Sequence, residues 1–92
     1  MNVVALTTDL MDRSKLTNAI PDVSFTLTPD ADVVIIDLGR GVEQVARARA
    51  AAPHARIVCY GPHVDDFTGV DADVVLARSK FFADPVRALR GA

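Results

Sequence analysis

Asp32-Val33-Val34-Ile35-Ile36-Asp37-Leu38-Gly39-Arg40-Gly41 is the stretch whose reading decides the fold. Val33 to Ile36 are four consecutive β-branched residues with no polar break. A strand with one wet face alternates apolar and polar residues. An unbroken run is the pattern of a strand covered on both faces, as in a parallel sheet with helices on each side. The run stops at an acid, Asp37, followed by Gly39-Arg40-Gly41. In an open α/β sheet, sites form outside the carboxyl ends of the strands. Asp37 is therefore the first candidate site residue.

The flanking segments fit the same plan. Val3 to Leu6 is a short apolar run that reads as a buried strand. Thr7-Thr8-Asp9 ends it, with Asp9 placed to cap a helix of about ten residues and Asp12 in its first turn, where an acid suits the positive end. Leu16, Ala19 and Ile20 give that helix an inward face, and Pro21 stops it. Val23, Phe25 and Leu27 alternate with Ser24 and Thr26, the pattern of a half-buried edge strand. Residues 28 to 32 are too few for the usual crossover between parallel strands. They form an extended link in place of a helix, or the second strand is short or displaced, or a tight hairpin turns at Pro29-Asp30. Beyond the central strand, Val42 to Ala52 reads as a helix with a Glu43–Arg47 pair one turn apart, ended by Pro53. Arg56 to Tyr60 and Val74 to Ala77 are further buried strands, and 65 to 71 leaves room for little more than a helical turn. Arg78-Ser79-Lys80 follows as a polar cluster, with Phe81 and Phe82 as core plugs. Asp84-Pro85 opens a last helix that Gly91 closes.

The totals set bounds. Ninety-two residues make one domain, residues 1–92, and a small one. Half the residues are hydrophobic but only 5% are aromatic, so Val, Leu, Ile and Ala must fill the core. Ten Lys and Arg against twelve Asp and Glu give a net charge of -2. That balance offers no general pull toward nucleic acid or anionic lipid. No run approaches the roughly 18 apolar residues of a membrane span. The single cysteine, Cys59, supports no disulfide framework and reads as a structural thiol within a strand. With no basic leader ahead of the first strand, the expected location is the cytoplasm.

The ordered segments Asp9-Leu10-Met11 with Ser14-Lys15-Leu16, Val34-Ile35-Ile36-Asp37-Leu38, Gly61-Pro62-His63-Val64-Asp65 and Val75-Leu76-Ala77-Arg78-Ser79-Lys80-Phe81 together resemble the receiver domain of two-component response regulators. More narrowly, the chain resembles small stand-alone receiver-like proteins. The resemblance implies a flavodoxin-like α/β fold: a five-stranded, doubly wound, mostly parallel sheet in the order 2-1-3-4-5. The helices after the second and fourth strands would be reduced or absent. It also implies roles. In a working receiver two acids after the first strand hold magnesium, an aspartate ending the third strand takes the phosphoryl group, a Ser or Thr ends the fourth, and a Lys followed by Pro ends the fifth. Asp37 stands at the phosphoacceptor position. Thr7 and Thr8 stand at the acidic pair, with Asp9 one residue on. Gly61 stands at the hydroxyl, Arg78 at the lysine and Ser79 at the proline.

Neutral hydroxyls do not replace two carboxylates around magnesium. Asp9 and Asp37 remain only weak metal candidates, and no cofactor is expected. Arg78 keeps the positive charge, but as a planar fork. With Ser79 and Lys80 it forms either an anion site or an ion pair, and Asp37 is the expected partner. His63 adds an imidazole to the same edge. Three functions remain in view. The first is a non-enzymatic receiver-like module that binds a protein partner or itself, through the face of the fourth and fifth strands and the last helix. The second is a working phosphoacceptor at Asp37. The third is a small anionic-ligand or enzymatic site built from Asp37, His63 and Arg78. Nucleic acid and membrane are not expected partners.

Overall fold

The computed structural model describes residues 1–62 and 70–90. The elements in chain order are β1 (Val3–Leu6), α1 (Leu10–Ala19), β2 (Val33–Asp37), a 3-10 turn (Leu38–Arg40), α2 (Glu43–Ala51), β3 (Arg56–Gly61), β4 (Val74–Ala77), α3 (Arg78–Ala83) and α4 (Pro85–Leu89). The four strands form one sheet in the order β1-β2-β3-β4, and every pairing is parallel. All five residues of β2 are buried, as its unbroken apolar run requires.

The sheet divides the core into two layers. On one side α2 lays Val45 and Ala48 over Val34, Ile36, Ile57 and Cys59. On the other side α1, α3 and α4 bring Leu16, Phe81, Ala88 and Leu89 onto Val33, Ile35, Val58 and Tyr60. Successive strand residues alternate between the layers, so each strand feeds both. Burial of each such aliphatic or aromatic side chain is worth about 1.5–3 kcal/mol.

The expected five-stranded order 2-1-3-4-5 is not what the chain forms. Residues 23 to 27 make one parallel bridge, Ser24 to Val4. Ala5 N–H donates to the Ser24 carbonyl (2.8 Å), and Ser24 N–H donates to the Val3 carbonyl (2.9 Å). The segment thus lies on the outer side of β1 and runs parallel to it, but it does not continue as a strand. Val23 and Phe25 pack into the α1 layer, whereas Leu27 packs into the α2 layer. The chain crosses the sheet edge between Phe25 and Leu27, which breaks the period of two. The Ser24 hydroxyl also accepts the Thr26 N–H (3.2 Å), a local bond that competes with a ladder. The parallel bridge rules out the hairpin. Residues 28 to 32 hold no helix and are not extended: they turn at Pro29-Asp30, where the Ala31 N–H donates to the Thr28 carbonyl (3.3 Å), and the Asn2 N–H to Asp32 carboxylate bond (2.6 Å) pins the link.

The polar cluster Arg78-Ser79-Lys80 is helical. These residues open α3 directly from β4. The helix drops Phe81 onto Tyr60, with ring centroids 4.9 Å apart and nearly parallel planes. Phe82 meets both rings edge-on. Asp84 then caps α4, its carboxylate accepting the Arg87 N–H (3.1 Å). The expected reduction of the helix after the fourth receiver strand falls on residues 63 to 69, outside the described residues. So do His63, Val64, Asp65 and Gly91.

Candidate functional site

In a parallel sheet all carboxyl ends lie on one edge. The register pairs Leu6 with Ile36, Asp37 with Tyr60, and Gly61 with Ala77. Thr7, Asp37, Gly61 and Arg78 therefore leave the sheet along a single rim. His63, named for the same rim, lies outside the described residues.

Asp37 is buried at the end of β2. Its carboxylate accepts the Thr7 hydroxyl (3.1 Å) and the Gly39 N–H (3.0 Å). The Thr7 hydroxyl in turn accepts the Asp9 N–H (3.2 Å). A Cβ on Gly39 would come within 3.1 Å of the Asp37 carboxylate, so glycine permits this close turn. Asp9 is the N-cap of α1, its carboxylate accepting the Asp12 N–H (3.1 Å). Gly61 is buried at the end of β3 and carries no side chain to offer.

The strongest polar cluster on the rim centres on Asp12, a residue that sequence reasoning placed only as a first-turn acid. Its side chain is fully buried. The Arg78 guanidinium forks onto both carboxylate oxygens, with Nη1 to Oδ2 at 2.7 Å and Nη2 on Oδ1. The Tyr60 hydroxyl donates to Oδ2 at 2.8 Å. The ion-pair partner of Arg78 is thus Asp12, where the sequence pointed to Asp37. The physical reason is reach: α3 begins at Arg78 and packs in the same layer as α1, so the guanidinium lies over Phe82 (5.0 Å) and Tyr60 (5.7 Å). One signal for Asp12 was legible. It lies four residues before the buried Leu16, on the same stripe of α1.

Burial pushes the Asp12 carboxyl up, but the bonds from Arg78 and then Tyr60 outweigh it, and the net shift is downward. The bond from Asp12 holds Arg78 above its ordinary value. Burial raises the Tyr60 hydroxyl; its hydrogen bond with Thr7 opposes that rise and the one to Asp12 supports it. All three groups stay in the charge states that suit their bonds. Ser79 and Lys80 are exposed and make no hydrogen bond or ion pair among the described residues. They do not join Arg78 in an anion site there.

Magnesium needs hard oxygen donors converging on one point. The carboxylates nearest the phosphoacceptor position are otherwise engaged. Asp12 is held by Arg78 and Tyr60, an oxygen of Asp9 caps its helix, and both oxygens of Asp37 already accept protein donors. Among the described residues no group of three potential metal ligands converges. This donor set does not fit the ion that the resemblance implies.

The sheet, its two helical layers and the rim define a receiver-like α/β fold. A solved structure from Burkholderia pseudomallei, a response regulator protein with a phosphorylated aspartic acid, a calcium ion and citrate, is similar to it with a TM-score of 0.74. The match covers 96% of this chain and 65% of that chain, at 16% sequence identity, so the likeness is one of fold. No family model matches the chain, and no curated protein sequence matches it. Among the described residues no helix is long and apolar enough to cross a membrane.

Proposed function

We propose that the chain is a pseudo-receiver: a non-enzymatic signalling module of the cytoplasm that acts by binding protein and does not use Asp37 as a conventional phosphoacceptor. The observation that carries this reading is the fork of Arg78 onto the buried Asp12. A phosphoryl group needs its charge neutralised by metal and by a cation that can reach it. Here the cation at the end of β4 is bound to a carboxylate of α1, and Thr7 and Thr8 stand where acids would hold the metal. The Thr7 hydroxyl bonds Asp37 instead.

Binding would use the face of β3, β4 and α4. The residues of β4 are only half-buried. Beside it a cavity of about 330 Å³ is lined by Leu76, Lys80, Ala83, Asp84, Arg87 and Ala88. Both charge signs are present there, which suits a second copy of the chain or another protein.

The full chain is incubated with a small acyl-phosphate donor and magnesium and followed by intact mass, in parallel with Asp37→Asn. The expected result is no phosphoryl gain in either. A gain that Asp37→Asn abolishes would overturn the reading and establish the working phosphoacceptor. Sedimentation velocity at low micromolar concentration tests self-association, and a clean monomer there leaves a different protein as the partner.

A further inference from the structure

The reduced edge strand leaves a cleft at the carboxyl end of β1. Residues beyond Ser24 leave the sheet edge, and no described strand covers Leu6 from that side. The cleft there has a volume of about 160 Å³. Leu6, Thr7 and Thr8 line it from β1 and its exit, Arg13 from α1, Phe25 from the edge segment, and Gln44 and Arg47 from α2. It therefore spans the edge of the sheet and draws on both helical layers. None of its lining residues is acidic.

Arg13 is fixed in place. Its Nε–H donates to the Thr7 carbonyl (2.8 Å), and its guanidinium lies 4.8 Å from the centre of the Phe25 ring. Both of its Nη groups are without a bond among the described residues. Arg47 makes one long bond, to the Gln44 side chain at 3.4 Å. The Thr8 hydroxyl is exposed and makes none. Two guanidinium groups with unspent donors thus share a cleft with a free hydroxyl and an amide. A guanidinium held by its Nε and by a ring face presents its remaining fork at little further entropic cost, and that fork matches an oxyanion. The space equals about five water molecules at ~30 Å³ each. That is below the ~300 Å³ at which drug-sized ligands begin. The size suits a single oxyanion group.

We propose that this cleft binds the oxyanion group, phosphate or carboxylate, of a small metabolite, with Arg13 and Arg47 as its clamps. Thr7, whose hydroxyl bonds Asp37, borders the cleft, but the clamps are Arg13 and Arg47, so binding does not require Asp37 to be phosphorylated.

The test is an NMR titration of the isotope-labelled full chain with inorganic phosphate and, separately, with succinate, at constant ionic strength balanced by sodium chloride. The expected result is a saturable shift of the Arg13 Nε–H and Thr8 amide signals at millimolar concentration of at least one probe. The probe that saturates identifies phosphate or carboxylate as the preferred group. Arg13→Gln and Arg47→Gln should each weaken binding by about tenfold, or about 1.4 kcal/mol. Arg47 is exposed, so Arg47→Gln carries the test even if Arg13→Gln fails to fold. Shifts reproduced by chloride alone, or binding unchanged in Arg47→Gln, would overturn the proposal.

Discussion

Replacing Arg78 by Met strands a carboxylate. Asp12 has no exposed side-chain surface, whereas the Arg78 side chain is 38% exposed. In the variant, Tyr60 remains as the one side-chain donor to Asp12 (2.8 Å), and the forked pair is gone. Breaking a buried pair by removing one partner costs about 3–5 kcal/mol, because the remaining charge stays desolvated. A domain of this size holds roughly 5–14 kcal/mol in all. The loss is therefore a large part of the total and is readable by urea unfolding. With m near 1 kcal/mol/M, it moves the midpoint by about 3 M or more. The pH dependence is the sharper signature. In the wild type Asp12 is depressed below its ordinary 3.8, so its contribution is present above that value and is lost as pH falls through the lower folded one. In Arg78→Met the largest remaining influence is burial, which raises the carboxyl, so the variant gains stability as pH falls through that raised value. The gap between the two proteins should be widest at pH 7 and close toward about pH 4. Replacing both partners, Asp12→Leu with Arg78→Met, should cost less at pH 7 than Arg78→Met alone. A loss under about 1 kcal/mol at pH 7, or a gap that ignores pH, would refute the assignment of Asp12 as the ionised partner.

Two further outcomes follow from the same bonding. Asp73 precedes β4, and its carboxylate accepts the Ile57 N–H (2.7 Å) and lies 3.4 Å from Arg49 Nη2. That backbone bond is the main reason its carboxyl sits low. Asp73→Ala should cost about 1 kcal/mol at neutral pH and less in acid, whereas Asp73→Asn keeps an acceptor and should cost less. Equal losses for both variants would place the effect in charge and not in the bond. Cys59 is fully buried in β3, and burial pushes its thiol up to about 12. The native chain should not react with a thiol reagent at neutral pH and should react fully in urea. Fast native labelling would mean that the central sheet opens.

The central sheet was legible because its code is short and local. Val3–Leu6 and Val74–Ala77 have the bounds that their apolar runs suggest. Asp9 caps α1 as its residue type and position require. The edge segment was over-read for a physical reason. Val23, Phe25 and Leu27 alternate in sequence, but the backbone turns about the sheet edge after Phe25, and alternation cannot report a change of face. α3 left little trace, because Ala77 makes no side-chain cap bond and the helix is only six residues long. Its stability comes from Phe81 packing on Tyr60, a contact between distant parts of the chain. The Glu43–Arg47 pair does not form; Arg47 bonds Gln44 instead. A Cβ on Gly41, whose φ is 120°, would meet the Glu43 carboxylate, so that acid folds back toward the turn. Asp12 was the costliest omission. Polarity normally marks the wet face of a helix, and a buried acid is recognisable only once its cation is known.

The rim residues act as one electrostatic unit. A receiver-type rim gathers several carboxylates around a metal, and a lysine answers the charge of the phosphoryl group. Here Thr7 and Thr8 remove negative charge beside Asp37, and Asp12 places a carboxylate in the α1 layer. Arg78 follows the charge: its longer fork reaches Asp12 and lies over Tyr60 and Phe82. The Thr7 hydroxyl donates to Asp37 from the position where a receiver carries an acid. Introducing an acid at position 7 alone would not build a metal site. It would set a second carboxylate against the buried Asp37 while Arg78 stays with Asp12, and close like charges raise a pKa or destabilise the fold. Phosphoryl chemistry at Asp37 assisted by Arg78 would require Asp12 to release Arg78. That coupling is why the Asp12–Arg78 fork, and not the identity of the residue at position 37, decides how this rim is read.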